Sequence, residues 1–259
     1  MGRWIVPLHS CTVTTQPDRF RDDWQAFRTF VRRPTARRFR SYAVEPGRAW
    51  HLDFIPQIRF GRLLAWAAML WIVNLLLLGP IVVAVAGMSG ATHRIDVHNI
   101  PWVLAIVWAP LIEEMVFRYG LRRPLQALWL VPILVPSLLF GMTGSSGWWL
   151  ALGMLLCWWA CMNDHPPGRR AWRAMRTYRA WFPWVFHLVT LAFAGLHIKN
   201  FIFTDVSWWM LPILVLPQWF SGMVLGWIRV SRGIGAAVLL HAVFNFGPLL
   251  IAWSLLGSM

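Results

Sequence analysis

The chain has 259 residues, 58% of them hydrophobic and 13% charged, with a mean hydropathy of +0.53 and a formal net charge of +14. A soluble domain with a solvated surface does not carry that composition, so soluble globular classes are excluded and a polytopic all-α membrane bundle is expected. Nearly all the positive charge is arginine, since Lys199 is the only lysine, and Cys11, Cys157 and Cys161 are too few for a disulfide framework.

Residues 1–62 come first and contain no apolar run long enough to span a bilayer. The basic start at Met1 to Arg3 is not followed by the apolar stretch of a signal peptide, so a cytoplasmic amino-terminal region is expected. It holds twelve arginines and five acids, with Trp24, Phe27, Phe30, Phe39 and Phe54 interleaved. Beside a membrane, that pattern suits anionic lipid headgroups. The same interleaving suits nucleic acid, but the adjoining bilayer makes headgroups the expected partner and nucleic acid not.

Residues 63–259 form the second region. Seven spanning segments are predicted, near Leu64–Met88, Trp102–Leu121, Leu125–Met142, Gly147–Met162, Pro183–Thr204, Ser207–Ile228 and Ile234–Leu256. Pro80, Pro110, Pro132, Pro136, Pro212, Pro217 and Pro248 fall inside them and predict kinks rather than boundaries. With the amino terminus inside, the inner loops carry Arg122 and Arg123, then Arg169, Arg170, Arg173, Arg176 and Arg179, then Arg229 and Arg232; the outer loops carry only Arg94 and Lys199. That asymmetry predicts an N-in, C-out topology. Tryptophans at segment ends, such as Trp148, Trp149, Trp208 and Trp209, read as interfacial anchors. The spacing of Cys157 and Cys161 on a Trp-rich helix reads as packing rather than a metal site.

The second segment carries three ionisable groups, Glu113, Glu114 and Arg118, where each costs about 2.5–3.5 kcal/mol on insertion scales. Glu114 and Arg118 are four apart with the acid first, the favourable order for a helical ion pair, whereas Glu113 is rotated about 100° from Glu114. Glu114 is therefore the expected structural partner of Arg118 and Glu113 the free carboxylate, a candidate general base. The competing reading has both acids share Arg118 in a charge cluster that fixes helix packing.

His241 and Asn245 are also four apart and share one helix face, about 12 and 18 Å from the helix start near Gly233, while Glu113 lies about 14 Å from Arg122. His197 lies about 21 Å into its segment if that helix begins at Pro183. These depths are compatible with one site. His187 has no such match and reads as interhelical hydrogen-bonding glue.

The ordered set Glu113-Glu114-x-x-x-Arg118, Phe193-x-x-x-His197 and His241-x-x-x-Asn245 resembles the CAAX-protease and bacteriocin-processing (Abi) family of intramembrane endopeptidases. The resemblance covers about residues 100–250 and has no counterpart before Arg62. It implies that Glu113 and His197 activate the attacking water, that His241 and Asn245 stabilise the oxyanion, and that Glu114 and Arg118, with Phe193, support the helix. One departure is the long interval between Glu114 and His197. An earlier candidate for the second motif, Phe140 to Gly144, has glycine where histidine belongs, so residues 125–162 are read as an inserted pair of segments.

Two mechanisms remain open. A metal-free glutamate mechanism with no cofactor is favoured, because a base plus an oxyanion hole accounts for Asn245 directly. The alternative is a zinc or other divalent ion held by Glu113, His197 and His241. The expected substrate is a membrane-associated protein or peptide, reached from lipid or the cytoplasmic side. The arginine bias hints at a GC-rich prokaryote, hence at peptide processing in a bacterial inner membrane rather than removal of prenylated tails. A non-catalytic rival, an immunity factor or transporter using the same buried polar groups, is also open.

Overall fold

The computed structural model describes residues 19–36, 51–94, 96, 98–162, 169–203 and 208–256; Cys11, Phe39, Thr204, Ser207 and the side chain of Cys161 lie outside the described residues. The chain is an all-α bundle and an integral membrane protein. Among the described residues, three helices, 60–88, 170–200 and 234–255, are long and apolar enough to cross a membrane, and the bent pair 208–214 and 216–232 passes the same test when taken as one broken span. Large apolar side chains such as Leu76, Val83, Leu128, Trp148 and Trp184 point outward, as a lipid-facing surface requires.

The first rod joins α3 (Phe60–Trp71), a π-helical turn (Ile72–Leu78) and α4 (Gly79–Ser89). A second, shorter rod runs from a π-turn (Leu104–Trp108) through α5 (Ala109–Glu113) and a second π-turn (Glu114–Arg118) into a 3-10 turn (Tyr119–Leu121). The widened turns before Pro80 and Pro110 have a common cause. Proline offers no N–H to the preceding turn and its ring crowds the carbonyls there, so the helix loosens rather than breaks.

Helices α6 (Pro124–Phe140) and α7 (Ser146–Met162) pack on each other as a hairpin. Each is 17 residues long, about 25 Å, which is less than the bilayer core. Helix α8 (Arg169–Leu196) corrects the boundary placed at Pro183: the helix starts 14 residues earlier, with Pro183 inside it, so the five arginines assigned to a loop lie on its first turns. Pro217 stands in the first turn of α10 (Leu216–Arg232), just after α9 (Leu211–Leu214) and a 45° bend, a position where its missing N–H costs nothing. The last helix is α11 (Ile234–Leu256).

Helix α10 is the axis of the bundle. It packs against α8 and α11, and every residue from Ser221 to Arg232 is buried. Amino-terminal helices close one end of it. Helix α1 (Phe20–Arg32) inserts Phe27 against Trp66 and Trp227, and its buried Asp23 pairs with Arg232 at 2.9 Å and Arg62 at 3.5 Å. Asp53, in the short α2 (His51–Phe54), meets Arg122 and Arg229 at 2.6 Å and Arg123 at 3.5 Å. Burial alone would raise its carboxyl, but the three guanidinium groups outweigh that and hold it at about 2.

Candidate active site

The charged segment sits on the rod of α5 and its flanking π-turns, braced from two sides. Arg118 pairs with Glu114 through Nη1 and lies 4.0 Å from the centroid of the Phe193 ring, so the buried cation meets a carboxylate and an aromatic face. At the end of the rod, Arg229 donates from Nε to Arg118 O at 3.0 Å and from Nη2 to Tyr119 O at 3.2 Å. Arg229 thus ties α10 to the carbonyl end of the rod, where Tyr119 O also accepts from the backbone N–H groups of Arg122 and Arg123. Gly222 of α10 makes the approach possible, since a Cβ there would lie 3.1 Å from both Phe193 Cδ1 and Thr190 Cγ2.

Glu113 faces the other way, as its rotation from Glu114 predicts. Its Oε2 lies 3.9 Å from His197 Nε2 and 3.8 Å from His241 Nε2, beyond direct hydrogen-bond reach of either. Both imidazoles are oriented by their other nitrogen. His197 Nδ1 donates to Phe193 O at 2.8 Å, an assignment fixed because a carbonyl only accepts, and His241 Nδ1 lies 2.8 Å from Glu114 Oε1. Phe193 packs edge-on against both rings, at 4.6 and 5.9 Å between centroids. Phe193 and His197 thus reach the cleft from α8 and the 3-10 turn that follows it (His197–Asn200), while α6 lines it with Ser137 to Phe140.

Asn245 is held by the helix it faces. In the π-turn, Ala109 donates to Leu104 O, so the next donor, for Ala105 O, would be residue 110, which is proline. Asn245 Nδ2 donates to Ala105 O at 3.0 Å instead. One amide hydrogen of Asn245 is thus engaged and the second is left for another acceptor.

Glu113, His197, His241 and Asn245 all line one cleft of about 870 Å³. Its walls run from Glu113 back to Pro101 and from His241 forward to Leu249, away from the ends that carry Arg122, Arg123, Arg229 and Arg232. Sequence reasoning missed three contributors. Asp53 and Arg229 anchor the rod, and their signal was arginine clustering assigned to loops. Asn74 lines the cleft from the first rod, and its signal was a single amide in the run Ile72–Leu78.

Among the described residues no group of three His, Cys, Asp or Glu side chains is arranged to hold a metal ion. Cys157 is buried with its Sγ 3.3 Å from the Tyr119 hydroxyl, a packing contact.

No curated protein and no solved structure matches the chain. The sequence model of a family described as Type II CAAX prenyl endopeptidase Rce1-like matches residues 170–247, a stretch that starts with α8 and ends just beyond Asn245. It contains the second and third motifs and leaves Glu113, Glu114 and Arg118 outside. The segment that brings Phe193, His197, His241 and Asn245 to the cleft is thus the part of the chain similar to that CAAX-protease family.

Proposed function

We propose that this chain is an intramembrane endopeptidase with Glu113 as general base. The observation that carries the proposal is the convergence of two oriented imidazoles, through Nε2, on one carboxylate oxygen of Glu113. Glu113 takes a proton from water as the water oxygen bonds to the scissile carbonyl carbon. The oxyanion that forms is stabilised by His241 and the second amide hydrogen of Asn245. His197 holds the water beside Glu113. The C–N bond then breaks, and Glu113 returns its proton to the leaving amine. Glu114, Arg118 and Phe193 keep the rod and the imidazoles in register. No cofactor enters this scheme.

The chain crosses the membrane seven times in this reading, N-in and C-out, in a bacterial inner membrane. The amino-terminal region rests its arginines on anionic headgroups. Access from lipid or from the cytoplasmic side is the expectation for the substrate, and the cleft walls lie toward the arginine-poor ends of the helices. With the arginine-rich face inside, the cleft opens outward, to a membrane-associated protein or peptide that presents its scissile bond from the outer side. This reading favours maturation of exported peptides.

Co-expression of candidate membrane-anchored substrates with wild type and with Glu113→Gln tests the chemistry; unchanged processing by the variant would sink it. Sidedness is tested with His98→Cys and Arg33→Cys in a background whose native cysteines are serine. An impermeant thiol reagent should label the first in intact cells and the second only after permeabilisation. The opposite pattern would invert the topology.

A further inference from the structure

Asn74 is an amide in an apolar spanning rod, and its side chain is only half satisfied. Nδ2 donates to Leu70 O at 2.8 Å, which fixes the orientation of the amide and leaves Oδ1 pointing elsewhere. Asn74 is 8% exposed, its Oδ1 is buried and meets no donor, and the residue lines the catalytic cleft. Gln218, on the first turn of α10, shares one feature with it: its Oε1 is buried without a donor and the residue lines the same cleft. Helix α10 packs against the π-turn that carries Asn74, so the elements that bear the two residues are in contact. Gly79 keeps that turn compact, since a Cβ there would stand 2.8 Å from Asn74 O.

A buried acceptor without a partner destabilises a fold, and two on residues that line one cleft call for a shared explanation. Neither is in an ion pair or bound to the catalytic groups. Both are acceptors, so the ligand they complement carries donors. Within the bilayer, a peptide chain drawn into the cleft has unpaired backbone N–H groups that need the same compensation.

We infer that Asn74 Oδ1 and Gln218 Oε1 form a backbone-binding subsite that accepts N–H groups of an extended substrate peptide beside the scissile bond. This rests on the protease reading and specifies how that site holds its substrate. Specificity at the subsite is for an unfolded, hydrogen-bond-hungry chain rather than for particular side chains. A substrate helix whose N–H groups are internally bonded must unwind there before it is cut.

The test uses full-length protein in liposomes and a mixture of palmitoylated, internally quenched peptides as probe. Asn74→Leu and Gln218→Met keep the volume and remove the acceptor. Each is expected to raise KM roughly five- to tenfold, the loss of one hydrogen bond, with kcat changed less than about twofold. Melting temperature should stay unchanged or rise, because an unsatisfied buried oxygen is gone. Backbone N-methylation of the probe near the cut should weaken wild type and have little further effect on the variants. A wild-type KM in both variants overturns the inference, as does a KM rise that comes with a fall in melting temperature. Cleavage that persists in Glu113→Gln overturns the protease reading, and the subsite with it; cleavage that depends on Glu113 but ignores Asn74 and Gln218 overturns the subsite alone.

Discussion

Glu114 and His241 are joined by a 2.8 Å hydrogen bond between Oε1 and Nδ1, across 127 residues of sequence. The acid that neutralises Arg118 therefore also orients the imidazole that faces Glu113. Adjacent acids thus serve two different faces of one helix: Glu114 faces the protein interior, where it is fully buried, and Glu113 faces the cleft.

Neutralising the two acids should give different losses. Glu114→Gln leaves Arg118 as a buried cation without its counter-charge, a change that costs about 3–5 kcal/mol, and it frees His241 to rotate. Glu113→Gln removes no buried ion pair to arginine. Expected outcomes are a strong fall in melting temperature and activity for Glu114→Gln, and an activity loss of about 100-fold or more at near-wild-type melting temperature for Glu113→Gln. Thermal unfolding in detergent alongside probe cleavage separates them. Equal destabilisation by both would refute the division of roles.

Asp53 ties the amino-terminal region to the end of the catalytic rod. Its pKa is lowered from 3.8 to about 2, so the folded state favours the carboxylate more than the unfolded chain does. The stabilisation, roughly 2 kcal/mol, is present above about pH 4 and is lost as pH falls toward 2. Wild type should therefore lose stability across that window, and Asp53→Asn should lose this component of the pH dependence. At neutral pH the variant leaves Arg229 buried without its acid partner, and a destabilisation of about 3–5 kcal/mol is expected. Melting curves between pH 2 and 7 provide the check.

Gly222 sets the distance between α10 and the Phe193 ring. In Gly222→Val the first added carbon meets Phe193 and Thr190 at 3.1 Å, so the ring must move, and it contacts both imidazoles. A stability cost of about 1–3 kcal/mol is expected, together with a fall in kcat larger than the change in KM. Retention of wild-type kcat would show that Phe193 does not position the histidines.

Exhaustive chelation should leave probe hydrolysis by the purified protein intact under the proposed mechanism. Loss of activity that one divalent ion restores would move Glu113, His197 and His241 into the role of ligands.

The sequence by itself determined the membrane class and the all-α bundle, because hydropathy reports what each segment's solvent must be. It also determined the pairing of Glu114 with Arg118 and the separate orientation of Glu113, because helical spacing fixes which side chains share a face. Local widening of the helix before Pro110 was hidden, since proline predicts a disturbance without saying whether the chain kinks, ends or loosens. Tertiary structure decided the rest. It bonded His241 to Glu114, set Asn245 on the carbonyl that Pro110 leaves without a donor, brought Asp53 and Arg229 to the rod's end, and turned Asn74 into the cleft. Those contacts join residues far apart in sequence, and periodicity carries information only about neighbours within a few turns.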